Sequence, residues 1–276
     1  MHKHIPSVRA FLLLLLGLCL SSAVRADDTN VTLSKVNRGN LVYLIVNLTQ
    51  CSEATVTFTA TLTNMTSSVP LPRTVELTGP KSTVVAIFAP IDPNAPTSSK
   101  GTFTWEYGRR LTSAAIPYNY HLPYHDGPYK VIQGAHGAFS HNLGSPDAEA
   151  IDFAMPIGTK VYAARPGTVI GIRFDCTLGG PDKKWMEDTN YVIIKHDDGT
   201  MAEYLHLLHN GVLVSVGDRV TLDRPIALSG VTGYTTQPHL HFAVFMLVEG
   251  TNSQSLPAYF QASNGGIFTP REGAYY

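Results

Sequence analysis

The chain has 276 residues, 20 Lys and Arg against 21 Asp and Glu, a formal net charge of −1 and 15% charged residues. No Lys/Arg cluster offers a face for nucleic acid, and the length suits one large domain or two small ones. Beyond residue 26 no run is long and apolar enough to cross a bilayer.

At the N-terminus, Lys3 and Arg9 lead into the apolar run 10-AFLLLLLGLCL-20, which is short for a membrane span. Val24-Arg25-Ala26 then places small residues around a signal-peptidase site. Residues 1–26 are therefore expected to be a signal peptide, giving an exported protein, periplasmic or secreted, with no integral membrane segment after cleavage. An uncleaved anchor is the competing reading, and Leu18 before Cys19 argues against a lipoprotein. Cleavage leaves Cys51 and Cys176. An oxidising compartment permits a disulfide, but sequence alone does not supply the geometry, so their pairing stays open. Asn30, Asn47 and Asn64 begin N-x-[ST] triplets, which matter only in a eukaryotic secretory route.

Residues 27–110 are rich in Thr, Val and Ser. The segments 41-LVYLIVNL-48, 54-ATVTFTATL-62 and 83-TVVAIFAPI-91 read as strands between turn-forming residues, and predict a β-sandwich-like accessory domain. Residues 111–130, with 116-IPYNYHLPYHDGPY-129, read as an ordered connector. From 131 to 276 the pattern is again β: 160-KVYAARPGTVIGIRF-174, 190-NYVIIKHDDGTMAEYLHL-207 and 212-VLVSVGDRVTLDRPIALSG-230 alternate apolar and polar residues around Pro-Gly, Asp-Asp-Gly and Val-Gly-Asp turns. The polar stretch 175–189 reads as a long surface loop. The predicted fold class is all-β.

The second half also holds a set of metal donors. His141 lies in 139-FSHNLG-144, Asp152 in 151-IDFAMPIGT-159, His206 in 204-YLHL-207, and His239 and His241 in 237-QPHLHF-242. Residues two apart on a strand share a face, so His239 and His241 point the same way. Such a pair is either a hydrogen-bonded buried pair or part of a metal site. Catalytic zinc takes three protein ligands and leaves one position open. Each of these residues alone has a structural reading, because buried polar groups generally find partners. His121, His125, His196 and His209 keep that reading, Tyr204 reads as packing, and Asn190 as a residue that steadies the groove.

Taken in order, FSH…IDFAMPIGTKVYAARPGTV, NYVIIKHDDG, YLHL, VGDRV and SGVTGYTTQPHLHF resemble the lysostaphin-type zinc metalloendopeptidases, also called the LytM or DD-endopeptidase family, over residues 131 to 248. The resemblance implies an antiparallel β-sheet groove. It implies Zn²⁺ on His141, Asp152 and His241, with His206 and His239 as catalytic residues beside the metal. It also implies a substrate, the peptide cross-links of bacterial peptidoglycan. Three features depart from the pattern. The insert 142-NLGSPDAEAI-151 makes the gap from His141 to Asp152 longer than in many members and must loop out; it leaves His136 as a rival first ligand. Gln237 stands where Gly is common, and Ala243 where Glu often follows.

Three functions are weighed. The first is an exported zinc endopeptidase with zinc-activated water as nucleophile, its N-terminal domain positioning the enzyme or occluding its groove. The second is a non-catalytic zinc-containing regulator or wall-binding module on the same fold, against which all five positions are filled. The third, a lipoyl- or biotinyl-type carrier, fails because no Lys follows residue 195. Neither an H-E-x-x-H helix nor a G-x-S-x-G elbow is present.

Overall fold

The computed structural model describes residues 30–79, 81–111, 115 and 117–276. The expected signal peptide lies outside them. The described residues form two compact units that meet in sequence near Arg110, and almost every regular element is a strand.

The N-terminal unit holds two antiparallel sheets. One runs Val31–Arg38, Leu41–Leu48, Ser82–Pro90, Met65–Ser67; the other runs Arg73–Thr78, Glu53–Thr63, Ser98–Tyr107. Alternate residues of these strands are buried: Val46 and Phe88 from the first sheet, Val56, Phe58, Phe103 and Trp105 from the second. Strands of this composition hold together through such one-sided apolar faces.

The C-terminal unit is built on an eight-stranded sheet. Its path runs Arg219–Val220, Gly167–Arg173, Tyr191–Lys195, Met201–Leu205, Leu240–Glu249, Ile151–Phe153, Val131–Gln133, with Asn252–Leu256 paired to Leu240–Glu249. Tyr191–Lys195 and Met201–Leu205 are a hairpin closed by 196-HDDGT-200, with Lys195 opposite Met201. The segment 160–174 breaks at its Pro-Gly, as the turn residues there predict. Lys160–Tyr162 joins Pro225–Ser229 and Leu207–Val212 in a separate three-stranded sheet, while Gly167–Arg173 enters the large one. The corner between them falls at 163-AARP-166, where Pro166 cannot donate to a ladder.

The expected connector sends two tyrosines into the core of the C-terminal unit. Asn119–Tyr120 pairs in parallel with Tyr259–Gln261, and Tyr120 and Tyr124 are buried among Phe153, Phe242 and Phe260. Phe242 and Phe260 meet edge to face at 5.8 Å. Burying each of these rings contributes roughly 1.5–3 kcal/mol. Leu240 and Phe242 face this core, so their neighbours His239 and His241 face the opposite side of the sheet. The polar stretch 175–189 carries a short strand, Gly179–Gly180, and a 3-10 helix, Lys183–Asp188. Asp182 caps that helix by accepting from the Lys184 amide.

Among the described residues, Cys51 is buried in the N-terminal unit and Cys176 in the C-terminal unit.

Candidate active site

Three adjacent strands bring most of the site together. Ile151–Phe153 pairs with Leu240–Glu249 so that Asp152 stands opposite His241. On the other flank, Leu205 of Met201–Leu205 stands opposite the same His241. The chain then turns at His206, whose φ of 62° is a left-handed conformation uncommon outside glycine. This turn is held from several sides. The Leu207 carbonyl accepts from Thr232 Oγ1 at 2.8 Å and from Asn190 Nδ2 at 3.3 Å, and the Leu207 amide donates to the Asn190 carbonyl at 3.1 Å. Asn190 Nδ2 and Oδ1 also tie the backbone of Cys176.

His141 arrives from a loop, and its ring is completely buried. Gln133 fixes that loop. Its Oε1 accepts from the amides of Phe139 (3.0 Å) and Ser140 (3.1 Å), while its Nε2 donates to Ser140 Oγ (2.7 Å) and Asp152 Oδ2 (3.2 Å). One amide side chain thus locates both the loop leading to His141 and the Asp152 carboxylate. The insert after His141 does loop out, through turns closed by Ser145 N to Asn142 O, Ala148 N to Ser145 O and Ala150 N to Asp147 O. His136 lies elsewhere: its half-exposed ring meets Glu149 at 2.8 Å.

The donors of His141, Asp152 and His241 converge, each offering a ligand atom within 4.8 Å of the others. His141 Nε2 lies 3.5 Å from Asp152 Oδ1, and His241 Nδ1 lies 3.0 Å from the same oxygen. All three residues are buried. The other nitrogen of His141, Nδ1, donates to the Gly134 carbonyl at 3.1 Å. A carbonyl only accepts, so Nδ1 carries the proton and Nε2 presents a lone pair. That Nε2 is buried and has no hydrogen-bond partner among the described residues. Two imidazoles and one carboxylate with such an orphaned donor fit a divalent zinc-like cation.

His206 and His239 stand beside this trio, their ring centroids 4.5 Å apart. His206 Nδ1 donates to the Thr232 carbonyl at 2.8 Å, and His239 Nδ1 to the Gln237 carbonyl at 2.9 Å. In both rings, therefore, Nε2 is the acceptor; that of His239 lies 3.7 Å from Asp152 Oδ1. A cleft opens over these groups, lined also by Gln133, Thr235 and Gln237, with the rings of Phe139 and Tyr234 stacked at 5.8 Å on its wall.

Burial alone would raise the Asp152 carboxyl. The imidazoles around it, His239 first and then His141 and His241, outweigh it, and the group is held well below the usual carboxylate range. His206 moves down, well below an ordinary histidine, first through burial and then through the adjoining His239 and His241. It is neutral at neutral pH.

The sequence reasoning did not single out Gln133, Thr232 or the Gly134 carbonyl, nor Glu203, whose buried carboxylate lies 3.6 Å from His241 Nε2. Tyr204 is buried packing, its ring against Phe242 at 5.3 Å. His125 stacks on Tyr162 at 3.8 Å and His196 donates to the Pro166 carbonyl at 3.0 Å, both away from the cluster.

Residues 147–254 match the model of Peptidase family M23, a stretch that contains Asp152, His206, His239 and His241 but begins after His141. The chain is 41% identical over 95 residues to Peptidoglycan DD-endopeptidase ShyA of Vibrio cholerae, covering 34% of this chain and 19% of that protein. It is 32% identical over 167 residues to Glycyl-glycine endopeptidase ALE-1 of Staphylococcus capitis, covering 60% of this chain and 40% of that protein. A crystal structure of a zinc-containing peptidase from Vibrio cholerae aligns with a TM-score of 0.37 at 21% identity, over 78% of this chain and 55% of that one. The matches thus span well under two thirds of these proteins' own lengths. The sequence match runs through the strands that carry the cluster, and residues 147–254 of this chain have the sequence pattern of Peptidase family M23.

Proposed function

We propose that the chain is an exported zinc metalloendopeptidase that hydrolyses peptide cross-links of bacterial peptidoglycan. The observation that carries this reading is the convergence of His141, Asp152 and His241 beside two histidines whose tautomers are set by backbone carbonyls. The relatives named as peptidoglycan and glycyl-glycine endopeptidases support the substrate class.

In this reading His141 Nε2, Asp152 and His241 Nδ1 hold the metal. When bound, zinc would lower the pKa of water toward neutrality and polarise the scissile carbonyl. His206, kept neutral by burial, takes the proton of the attacking water on Nε2. His206 then delivers that proton to the departing amine. His239, its Nδ1–H held by the Gln237 carbonyl, presents Nε2 to the cleft and, once protonated there, supports the developing negative oxygen. Gln133 keeps Asp152 and the loop to His141 in register. The stacked rings of exposed Phe139 and half-buried Tyr234 flank the path of the peptide.

The test is digestion of intact peptidoglycan sacculi by purified residues 27–276. Chelator-sensitive loss of cross-linked dimers is the expected result, and the masses of the fragments name the bond, D-alanyl-diaminopimelate or a glycine bridge. Zinc-loaded protein that releases nothing, either whole or as residues 110–276, contradicts the reading and favours a non-catalytic zinc-containing regulator or wall-binding module.

A further inference from the structure

Beside His241 lie two carboxylates that the reaction does not use. Glu203 is 5% exposed, and its Oε1 is 3.6 Å from His241 Nε2. Asp147, half-buried, also brings a carboxylate oxygen within 4.8 Å of the Glu203 and His241 atoms. A buried carboxylate is costly and is kept where it is paired.

We propose that Glu203 is a positioning residue for the metal centre: its carboxylate, 3.6 Å from His241 Nε2 and so just beyond hydrogen-bond length in this structure, closes on Nε2–H when the metal takes the Nδ1 lone pair, and holds that lone pair toward Asp152 and His141. This rests on the zinc reading above. His241 meets Asp152 through Nδ1, at 3.0 Å, so Nδ1 is the atom on the metal side. An imidazole that gives Nδ1 to a metal carries its proton on Nε2, and that proton needs an acceptor in a buried site. Strand register supplies one. Leu205 is opposite His241 and Glu203 is opposite Ala243, which places Glu203 and His241 diagonally on the same face of neighbouring strands. Such diagonal neighbours are within reach of a long side chain. Ala243 has only a methyl group, which leaves that space for the Glu203 side chain. The acceptor is an anion, so the bond strengthens the imidazole as a donor to the metal.

The register also defines the experiment. Residues 203 and 243 face each other, so a carboxylate lost from one strand can be returned from the other. Zinc affinity is measured by competition with a chromophoric chelator on the purified protein, together with the visible spectrum of the Co²⁺ form. The set is wild type, Glu203→Gln, Glu203→Ala, and Glu203→Ala combined with Ala243→Glu. Loss of the acceptor should weaken zinc by ~10- to 100-fold and alter the Co²⁺ spectrum, with the thermal midpoint of the metal-free protein little changed. The double variant should recover most of the affinity lost in Glu203→Ala. Zinc affinity of Glu203→Gln and Glu203→Ala within about twofold of wild type overturns the proposal while leaving the zinc reading intact. A wild type that binds two zinc ions, falling to one in Glu203→Gln, overturns it in favour of a second cation held by Asp147, Glu203 and His241. A wild type that takes up no zinc overturns both.

Discussion

Asp152 and His241 face each other across two antiparallel strands, with Oδ1 and Nδ1 3.0 Å apart. Neither can leave the cluster without breaking the register of a buried sheet. His241→Ala should therefore remove zinc and activity together while the sheet, anchored by Leu240 and Phe242, stays folded. Metal content by mass spectrometry checks this, and zinc retained at wild-type occupancy contradicts it.

His206 and His239 should separate chemistry from metal binding. Substituting either with Ala leaves all three donors in place, so zinc content should hold while kcat falls by ~10²- to 10⁴-fold, the usual loss for a positioned acid or base. Parallel assays of zinc and hydrolysis decide it. Loss of zinc from either variant would move that residue into the ligand set.

Gln133 makes four hydrogen bonds that join the loop to His141 with Asp152. Gln133→Ala should weaken zinc by ~10- to 100-fold although it removes no donor. Gln133→Glu should also fail, because it sets a second carboxylate against Asp152. A chelator competition titration measures both, and unchanged affinity in the Ala variant contradicts the role.

The loop bearing Thr232 and Thr235 depends on Gly233, which has a φ of 84° and packs against Thr189 so closely that a Cβ would collide with its hydroxyl. Gly233→Ala should cost at least ~1–3 kcal/mol in backbone strain and misplace the Thr232 carbonyl that orients His206. Reduced thermal stability with reduced kcat is expected; a variant with wild-type values in both would show that the loop tolerates a side chain.

His196 gives a pH signature outside the cleft. Burial pushes it down to about 4. It stays neutral in the folded chain while the unfolded chain takes up a proton below its ordinary pKa of ~6.5. Its contribution is therefore fully present above that value and is lost as pH falls toward 4, reaching about 2 kcal/mol at pH ~5. His196→Asn keeps a donor for the Pro166 carbonyl but does not titrate. Between pH ~7 and ~5, the thermal midpoint of zinc-free wild type should fall more steeply than that of the variant; equal slopes contradict the assignment.

The sequence displayed the donors better than it displayed their supports. His239 and His241 are two apart in an apolar run, and His141, Asp152 and His206 each sit in a recognisable context, so the set could be read before any fold was known. The strand Leu41–Leu48 and the hairpin around 197-DDG-199 were equally visible, because their period of two is strong. Gln133, Thr232 and Glu203 were not. Their partners are distant in sequence and are chosen by strand register, which composition does not encode. The polar-rich strands Val31–Arg38, Arg73–Thr78 and Ser98–Tyr107 escaped for a related reason, since their alternation is diluted by Lys, Arg, Glu and Ser. The strand Asn119–Tyr120 was not legible either, because it has only two residues and lies among prolines.

The most direct test of the central claim is a crystal of the purified protein grown with zinc, with anomalous data collected at the zinc edge. The account predicts one strong peak ~2.0–2.2 Å from His141 Nε2, an Asp152 carboxylate oxygen and His241 Nδ1. A peak between Asp147, Glu203 and His241 Nε2, or no peak in the cleft, would contradict it.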